Sequence, residues 1–401
     1  MIVSASGYGR GHEALADALV EELGVTVPAS SVVVVDGMQE TFGRLNRHWR
    51  EAYARQVAHD PAAYGRGYAL SALPAPARRL GQTFWLLATR ALADQAGQHR
   101  PDVVVSTHPF MTNAVGRMRR HGQLAAPVLV PLHNLDPHPS WMSPGVDLHV
   151  ANVPEDVPRI ERNFRRAYQR AELRVATATP PVDLRLHSRF SPVQRAAARR
   201  RFGLPEEAAV LLVSGGSLDY RLPDEDFHAL LDCRADLHVA VTTGKSDEFA
   251  AALRSAFPGG RLHPIPFTTE MPDLLRASDG VLLKDTGMTT YETLRAGAAV
   301  ILYRPLPGQG VAGAAALASD GYGTLARDRD ELVSLARRLA SSDAELARRV
   351  AKGRALYRQS LSTSQLIVTL AEDRPPRAGR DRASGREKTP ARRRYPKPAP
   401  P

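Results

Sequence analysis

The sequence predicts an α/β protein of two domains, each a sheet of parallel strands alternating with helices, followed by a basic tail. Three observations carry this. The chain has 401 residues, enough for two compact domains and a remainder. Short apolar runs recur between glycine-marked turns and helix-period stretches along both halves. The clearest unit is Val281–Gln309: strand Val281–Leu283, polar loop Lys284–Gly287, helix Met288–Ala296, strand Val300–Tyr303 and a second turn, Pro305–Gln309. Gly287 before the helix and Gly297 after it are ordinary β-α-β punctuation. In open parallel sheets ligands sit beyond the C-terminal strand edge, where helix N-termini favour phosphate. Glu292 lies about one turn into this helix, on the side that can face such a ligand.

Composition sets the class. With 43% apolar and 24% charged residues, most of the chain can bury a core. No apolar run approaches 18 residues, so a spanning helix is not expected. The opening MIVSASGYGRGH lacks the charged and apolar regions of a signal peptide. The single cysteine, Cys233, excludes an internal disulfide framework and a cysteine-rich metal site. These features predict a cytoplasmic protein. The net charge is +11, and residues 373–401 hold ten Lys/Arg against three Asp/Glu. This Pro- and Arg-rich segment reads as a disordered, solvated tail. Its charge also suits an anionic membrane surface, at about 1 kcal/mol per basic residue near the lipid. No nucleic-acid partner is expected, because no binding motif accompanies the charge.

In chain order, Ile2–Ser6 reads as a strand and Gly7–His12 as the turn into a helix, Glu13–Leu23. The glycines are not spaced as a dinucleotide fingerprint. His12 falls in the first helical turn, where the positive dipole end disfavours imidazolium and keeps a neutral base available. Strand Val32–Val35 and a helical region over 39–58 follow. Residues 66–93 mix Arg66, Arg78, Arg79 and Arg90 with Tyr68, Leu73, Phe84, Trp85, Leu86 and Leu87. That pattern fits either an interfacial helix or a core helix under a crossing loop. Strands Asp102–Ser106, Val128–Leu132 and Val146–Val150 come next, then a helix over Pro154–Tyr168.

At Thr177–Val182 a connector interrupts the pattern, and the alternation then restarts. Val210–Val213 leads to the glycine turn Ser214–Ser217, whose backbone amides can approach a phosphate. Leu237–Thr242 leads to Gly244-Lys245, and Leu262–Phe267 to a turn through Met271. A strand near Tyr322–Leu325 precedes helices reaching about Ala371. Asp224-Glu-Asp226 has the spacing of an Asp-x-Asp metal motif. It also follows Pro223 at a helix start, where acidic residues are common for dipole reasons alone. No metal site is expected.

Taken together these turns resemble a known family. Lys284–Glu292 followed by Pro307-Gly-Gln309 is similar to the donor motif of the MurG-like and diacylglycerol glycosyltransferases, which include monogalactosyldiacylglycerol synthases and processive diacylglycerol glucosyltransferases. Ser4–Ser6 with Gly9-Arg-Gly-His12 resembles the family's first glycine loop. His133–Trp141 resembles its Thr-Asp-aromatic-x-x-His-x-x-Trp motif, with His138 and Trp141 in register. Here Asn134 replaces the Asp and His133 the Thr, and Asp136 lies two residues on. Thr243–Lys245 and Pro266–Met271 resemble the strand end and the uracil-reading turn. Asp285-Thr286 stand where the family usually has Pro-Gly, and Gly310-Val311 where acidic residues often follow.

The resemblance implies the GT-B fold: two Rossmann-like domains facing across a cleft, with a C-terminal helix crossing back. Residues 1–176 would form the acceptor-side domain, 177–372 the donor domain with its crossover helix, and 373–401 the tail. It implies inverting, metal-independent transfer of a hexose from a UDP-sugar to a diacylglycerol-like or other amphipathic hydroxyl. The UDP-sugar is a co-substrate, and no further cofactor is implied. His12 would be the base, with His138 and Asn134 beside it. Gly215, Gly216, Ser217, Lys245, Phe267, Thr268, Gly287, Met288, Thr289, Glu292 and Gln309 would hold the donor, and Gly9, Gly11 and Trp141 would shape the acceptor or phosphate loop. Peripheral attachment at the inner face of the cell membrane follows from the acceptor. Asn134 and Gly310 also motivate a different reading, a sugar-nucleotide-binding protein with impaired turnover. A sugar-nucleotide epimerase on the same fold is a further alternative.

Overall fold

In the computed structural model, twelve strands among the described residues form two six-stranded sheets, parallel throughout. It describes residues 1–4, 8–71, 76–168, 171–188, 190–215, 221–339, 343–358 and 361–373, apart from the side chains of 58 and 76–85. In the first sheet β1 (Ile2–Ser4), β2 (Val34–Asp36), β3 (Val104–Ser106), β4 (Val128–Leu132), β5 (Leu148–Ala151) and β6 (Val175–Thr177) stand in the order β2-β1-β3-β4-β5-β6. In the second, β7 (Ala209–Val213), β8 (Leu237–Gly244), β9 (Leu262–Pro266), β10 (Gly280–Leu283), β11 (Ala299–Tyr303) and β12 (Thr324–Ala326) stand as β12-β11-β10-β7-β8-β9. The strand order reverses between β1 and β3 in one sheet and between β7 and β10 in the other. Those switch points are where such sheets open a crevice for ligands.

The apolar runs explain the layers. β4, β7 and β11 are buried along their whole length, as strands covered by helices on both faces must be. Alternate residues feed opposite faces. Val210, Leu212, Val281 and Val300 join one core, while Leu211, Val213, Leu282 and Ile301 join the other.

The chain ends on the domain it began with. A bridge pairs Thr179 with Ser362, and a Ser362/Gln365 capping box then starts the helix Thr363–Glu372. Such a box satisfies amides that a helix start leaves bare. Ile367 packs in one apolar cluster with Leu15 and Leu19, and Ser364 Oγ donates to Glu22 Oε2 at 3.0 Å. The crossover helix is therefore as expected.

Other contacts among the described residues also join the domains, two of them with clear consequences. Arg159 donates to both carboxylate oxygens of Asp320, at 2.7 and 2.6 Å. Beside this pair Tyr322 and Lys352 both donate to Glu155, at 2.8 and 2.6 Å. The second contact is made by the helix Pro61–Ser71, which lies against the turn before Gln309. A Cβ added at Gly65 would sit 2.6 Å from Pro307 Cβ, and one at Gly308 would sit 2.9 Å from the Tyr68 ring.

Several boundaries differ from expectation. β6 runs into the stretch read as the domain junction at Thr177, so the first sheet gains a strand of partly exposed residues with no apolar signature. Residues 66–93 divide between the helices Pro61–Ser71 and Pro76–His99. The described side chains there and just beyond divide between burial and exposure. Ala88, Leu92 and Ala96 face the core, while Leu86 and Leu87 are each 53% exposed. Leu73, Arg78, Arg79, Phe84 and Trp85, like the tail beyond Asp373, lie outside the described side chains.

Candidate active site

His12 is positioned by two loops at the switch point of the first sheet. After β1 the backbone turns through Gly9, whose φ of +92° suits glycine alone, into the helix Gly11–Thr26. The carbonyl of Thr107, just after β3, lies 2.6 Å from His12 Nδ1. A carbonyl only accepts, so Nδ1 carries the proton and Nε2 keeps its lone pair. Ser4 Oγ and Thr107 Oγ1 each donate to the His12 carbonyl at 3.2 Å, which fixes the backbone as well as the ring. Burial lowers the imidazole to about 4, against the opposing pull of the Thr107 carbonyl. The ring is thus an uncharged acceptor at neutral pH.

Other aromatic rings enclose it. His108 stands edge-on at 4.6 Å between centroids, His133 at 5.1 Å, and Trp141 is tilted at 5.6 Å. Burial, and the proximity of His12, push His108 and His133 well below the usual histidine range.

The second domain presents loops from the C-terminal ends of its strands. Gly215 follows β7, Lys245 follows β8, Phe267 and Thr268 follow β9, Gly287, Met288, Thr289 and Glu292 follow β10, and Gln309 follows β11. Together with Gly9, Gly11, His12 and Asn134 they line one cavity of about 910 Å³. That is the size of a site for a substantial small molecule. Gly287 caps the helix Met288–Ala296 without a side-chain hydrogen bond among the described residues. Met288 both lines the cavity and packs in a cluster with Leu15 of the facing domain. Thr268 Oγ1 accepts from the Glu270 amide at 2.9 Å, shaping the turn that offers Phe267, which is 48% exposed. Burial raises the Glu292 carboxyl to about 7; Asp183 adds to this, while Arg185 and Arg10 oppose it.

Some predicted residues fall elsewhere. His138 does not line the cavity. Its Nδ1 meets Ser140 Oγ at 2.8 Å, and its Nε2 meets the Tyr68 carbonyl at 3.2 Å and Ser71 Oγ at 3.3 Å. Both Nε2 contacts tie it to the helix Pro61–Ser71. Trp141 stands behind the cavity, edge-on to His133 at 4.9 Å. Asp136, two residues beyond Asn134, does not line the cavity, and its carboxylate accepts from Asn163 at 2.9 Å. Asp226 of the Asp-x-Asp spacing is fully buried and paired with Arg329 at 2.7 Å and Arg304 at 3.2 Å. Gly216 and Ser217 lie outside the described residues. Sequence reasoning gave no catalytic weight to His133 or Tyr53, both on the cavity wall. For His133 a signal existed, because it is the first residue after β4 at the ligand edge of the sheet.

Two facing parallel-sheet domains with a cleft fed by both switch points are the architecture of the GT-B fold. The family model described as monogalactosyldiacylglycerol (MGDG) synthase matches residues 12–160. The chain is 21% identical over 311 residues to the processive diacylglycerol beta-glucosyltransferase of Bacillus subtilis (strain 168), covering 77% of this chain and 78% of that one. It is 24% identical over 285 residues to the enzyme of the same name from Bacillus mycoides (strain KBAB4), covering 68% and 69%. Among solved structures, Os79 from O. sativa, in complex with U2F and trichothecene, superposes with a TM-score of 0.57 at 14% identity over 92% of this chain and 99% of that one. MurG of Acinetobacter baumannii superposes with a TM-score of 0.51 at 18% identity over 72% and 78%. The resemblance carried by the motifs thus holds in both sequence and fold.

Proposed function

We propose that the chain transfers a hexose, with inversion and without a metal ion, from a UDP-sugar to the hydroxyl of a diacylglycerol-like lipid at a membrane surface. The observation that carries this reading is the imidazole of His12. It is locked as the Nδ1–H tautomer by Thr107, with Nε2 available on the acceptor side of a cleft whose other wall bears the donor motif. Nε2 accepts the proton of the acceptor hydroxyl as its oxygen bonds to the anomeric carbon. The bond from that carbon to the UDP oxygen breaks on the opposite face. Positioned bases of this kind contribute about 10²–10⁴-fold. The charge developing on the departing diphosphate meets the Met288–Ala296 helix N-terminus and Lys245, where fixed dipoles and cations act with little reorganisation. Phe267 stacks on the base, and Glu292 accepts from the ribose hydroxyls.

The names of the relatives support a diacylglycerol acceptor and the transfer of a hexose. Among the described residues no helix is long and apolar enough to cross a membrane, so the reading places the protein on the lipid surface and not through it. The test supplies UDP-glucose and UDP-galactose with diacylglycerol vesicles, and follows UDP release alongside mass spectrometry of the lipid. Glycosylated lipid confirms transfer. Donor binding with no product in any combination favours the binding-protein reading that Asn134 motivates.

A further inference from the structure

One cation in the cleft comes from the wrong domain for ordinary nucleotide binding. Arg10 sits between Gly9 and Gly11 in the first glycine loop, on the acceptor side, and is exposed to the cavity. Its guanidinium carbon nevertheless lies 5.6 Å from the centroid of Phe267, on the opposite domain, and Lys245 Nζ lies 5.9 Å from the same ring. Its charge also reaches the Glu292 carboxyl, which it helps hold down. Arg10 therefore stands at the ring that would take the base, with its charge felt at the carboxylate that would take the ribose.

A nucleoside diphosphate with its base on that ring and its ribose on that carboxylate carries its negative charges on the ribose 5′ oxygen, within the reach of a long side chain in this loop. A guanidinium matches phosphate with a planar fork of donors, keeps its charge at every relevant pH, and stacks on aromatic faces. Lys245 supplies a point charge from the donor domain but no fork.

From this geometry we infer that Arg10 is a diphosphate-binding residue contributed by the acceptor domain, completing the nucleotide site only when the two domains face each other. The inference rests on the uridine-nucleotide reading above and adds a specific ligand group and a specific residue. Arg10 bridges two domains through the ligand, so donor binding and domain apposition become one event. A donor-free cleft leaves the guanidinium on Phe267; an arriving diphosphate draws it off the ring face toward the phosphate oxygens.

The test compares uridine with UDP by calorimetric titration of the full chain, as wild type, Arg10→Ala and Arg10→Lys. Thermal unfolding without ligand checks that the variants fold. Wild type should prefer UDP over uridine. Arg10→Ala should lose about ten- to a hundredfold in UDP affinity, with uridine affinity held within threefold. Arg10→Lys should recover part of the loss. An unchanged ratio of UDP to uridine affinity in Arg10→Ala would overturn the inference while leaving the nucleotide reading intact. Equal loss for both ligands would also overturn it, making Arg10 a base-pocket residue. Failure of the wild type to bind either ligand would remove the uridine reading and the inference together.

Discussion

The ring of His12 and the carbonyl of Thr107, on different elements, are joined by a 2.6 Å hydrogen bond. This bond decides which nitrogen carries the proton, and so decides what His12 can do. His12→Ala should lower turnover about 10²–10⁴-fold while UDP affinity stays within threefold, because the imidazole is assigned to the acceptor hydroxyl and not to the nucleotide. Steady-state rates and UDP titration on the same preparation check this. Unchanged turnover would refute the base assignment.

Glu292 and His12 give the pH profile two separable limbs. The Glu292 carboxyl, raised to about 7, is protonated below that value, and the neutral form is the poorer acceptor for ribose hydroxyls. Donor kcat/KM should therefore rise with pH through about 7. A diphosphate esterified at both ends does not titrate there, so the limb belongs to the protein. Glu292→Gln should remove it and leave only the fall near 4 that belongs to His12. Glu292→Ala should weaken UDP about ten- to a hundredfold, the loss of a charge-assisted hydrogen bond of about 1.5–3 kcal/mol. A Gln variant that keeps the limb near 7 would assign it to another group.

Gly65 tests the contact between the helix Pro61–Ser71 and the turn before Gln309. Helix propensity alone makes Gly65→Ala stabilising by about 1 kcal/mol. Against Pro307, however, the new Cβ would lie at 2.6 Å, and overpacking of this kind costs about 1–3 kcal/mol. The variant should melt lower than wild type and bind UDP less tightly, since Gln309 shifts with the turn. A higher melting temperature would show that the helix yields freely.

The Arg159–Asp320 pair joins the domains on mostly buried side chains. Arg159→Ala leaves Asp320 and Asp156 without their cation. A cost of about 1–3 kcal/mol is expected, between the values for exposed and fully buried pairs. Scattering profiles of the variant should broaden relative to wild type if the pair holds the domains in apposition. Unchanged scattering with unchanged stability would leave the pair without that role.

Attachment to lipid should have two components. A tail-borne component is electrostatic and should fade as the Debye length shrinks to about 3 Å at 1 M salt. An apolar component from Leu86 and Leu87, each 53% exposed, should survive at about 25 cal/mol per Å² buried. Truncation after Asp373 should reduce sedimentation with anionic vesicles and leave a salt-resistant remainder, which Leu86→Ser with Leu87→Ser should abolish. Absence of binding by full-length protein would point to a soluble acceptor.

The second domain was the more legible half, because its strands are covered on both faces and read as unbroken apolar runs such as Val210–Val213. Phe267, Glu292 and Gln309 follow from strand ends, and a strand end is a one-dimensional signal. The first domain hid more. β6 is short and partly exposed, so periodicity passes over it. His138 matched a motif by spacing, but spacing does not say which way a ring faces on an irregular loop, and the ring turned to Tyr68. His133 is beside His12 only because β1, β3 and β4 are neighbours, a relation across 121 residues of chain.

The helix Thr363–Glu372 has a bearing on how the protein is made. It lies against the first helix of the chain, yet a ribosome delivers it after the entire second domain. Until then Leu15 and Leu19 lack a partner in Ile367, and the Glu22 carboxyl lacks its hydroxyl. The amino-terminal domain must wait in an unfinished state with an apolar groove open, so a premature stop before residue 363 removes part of the domain made first. Nascent chains halted there should engage holding chaperones more than chains released at full length.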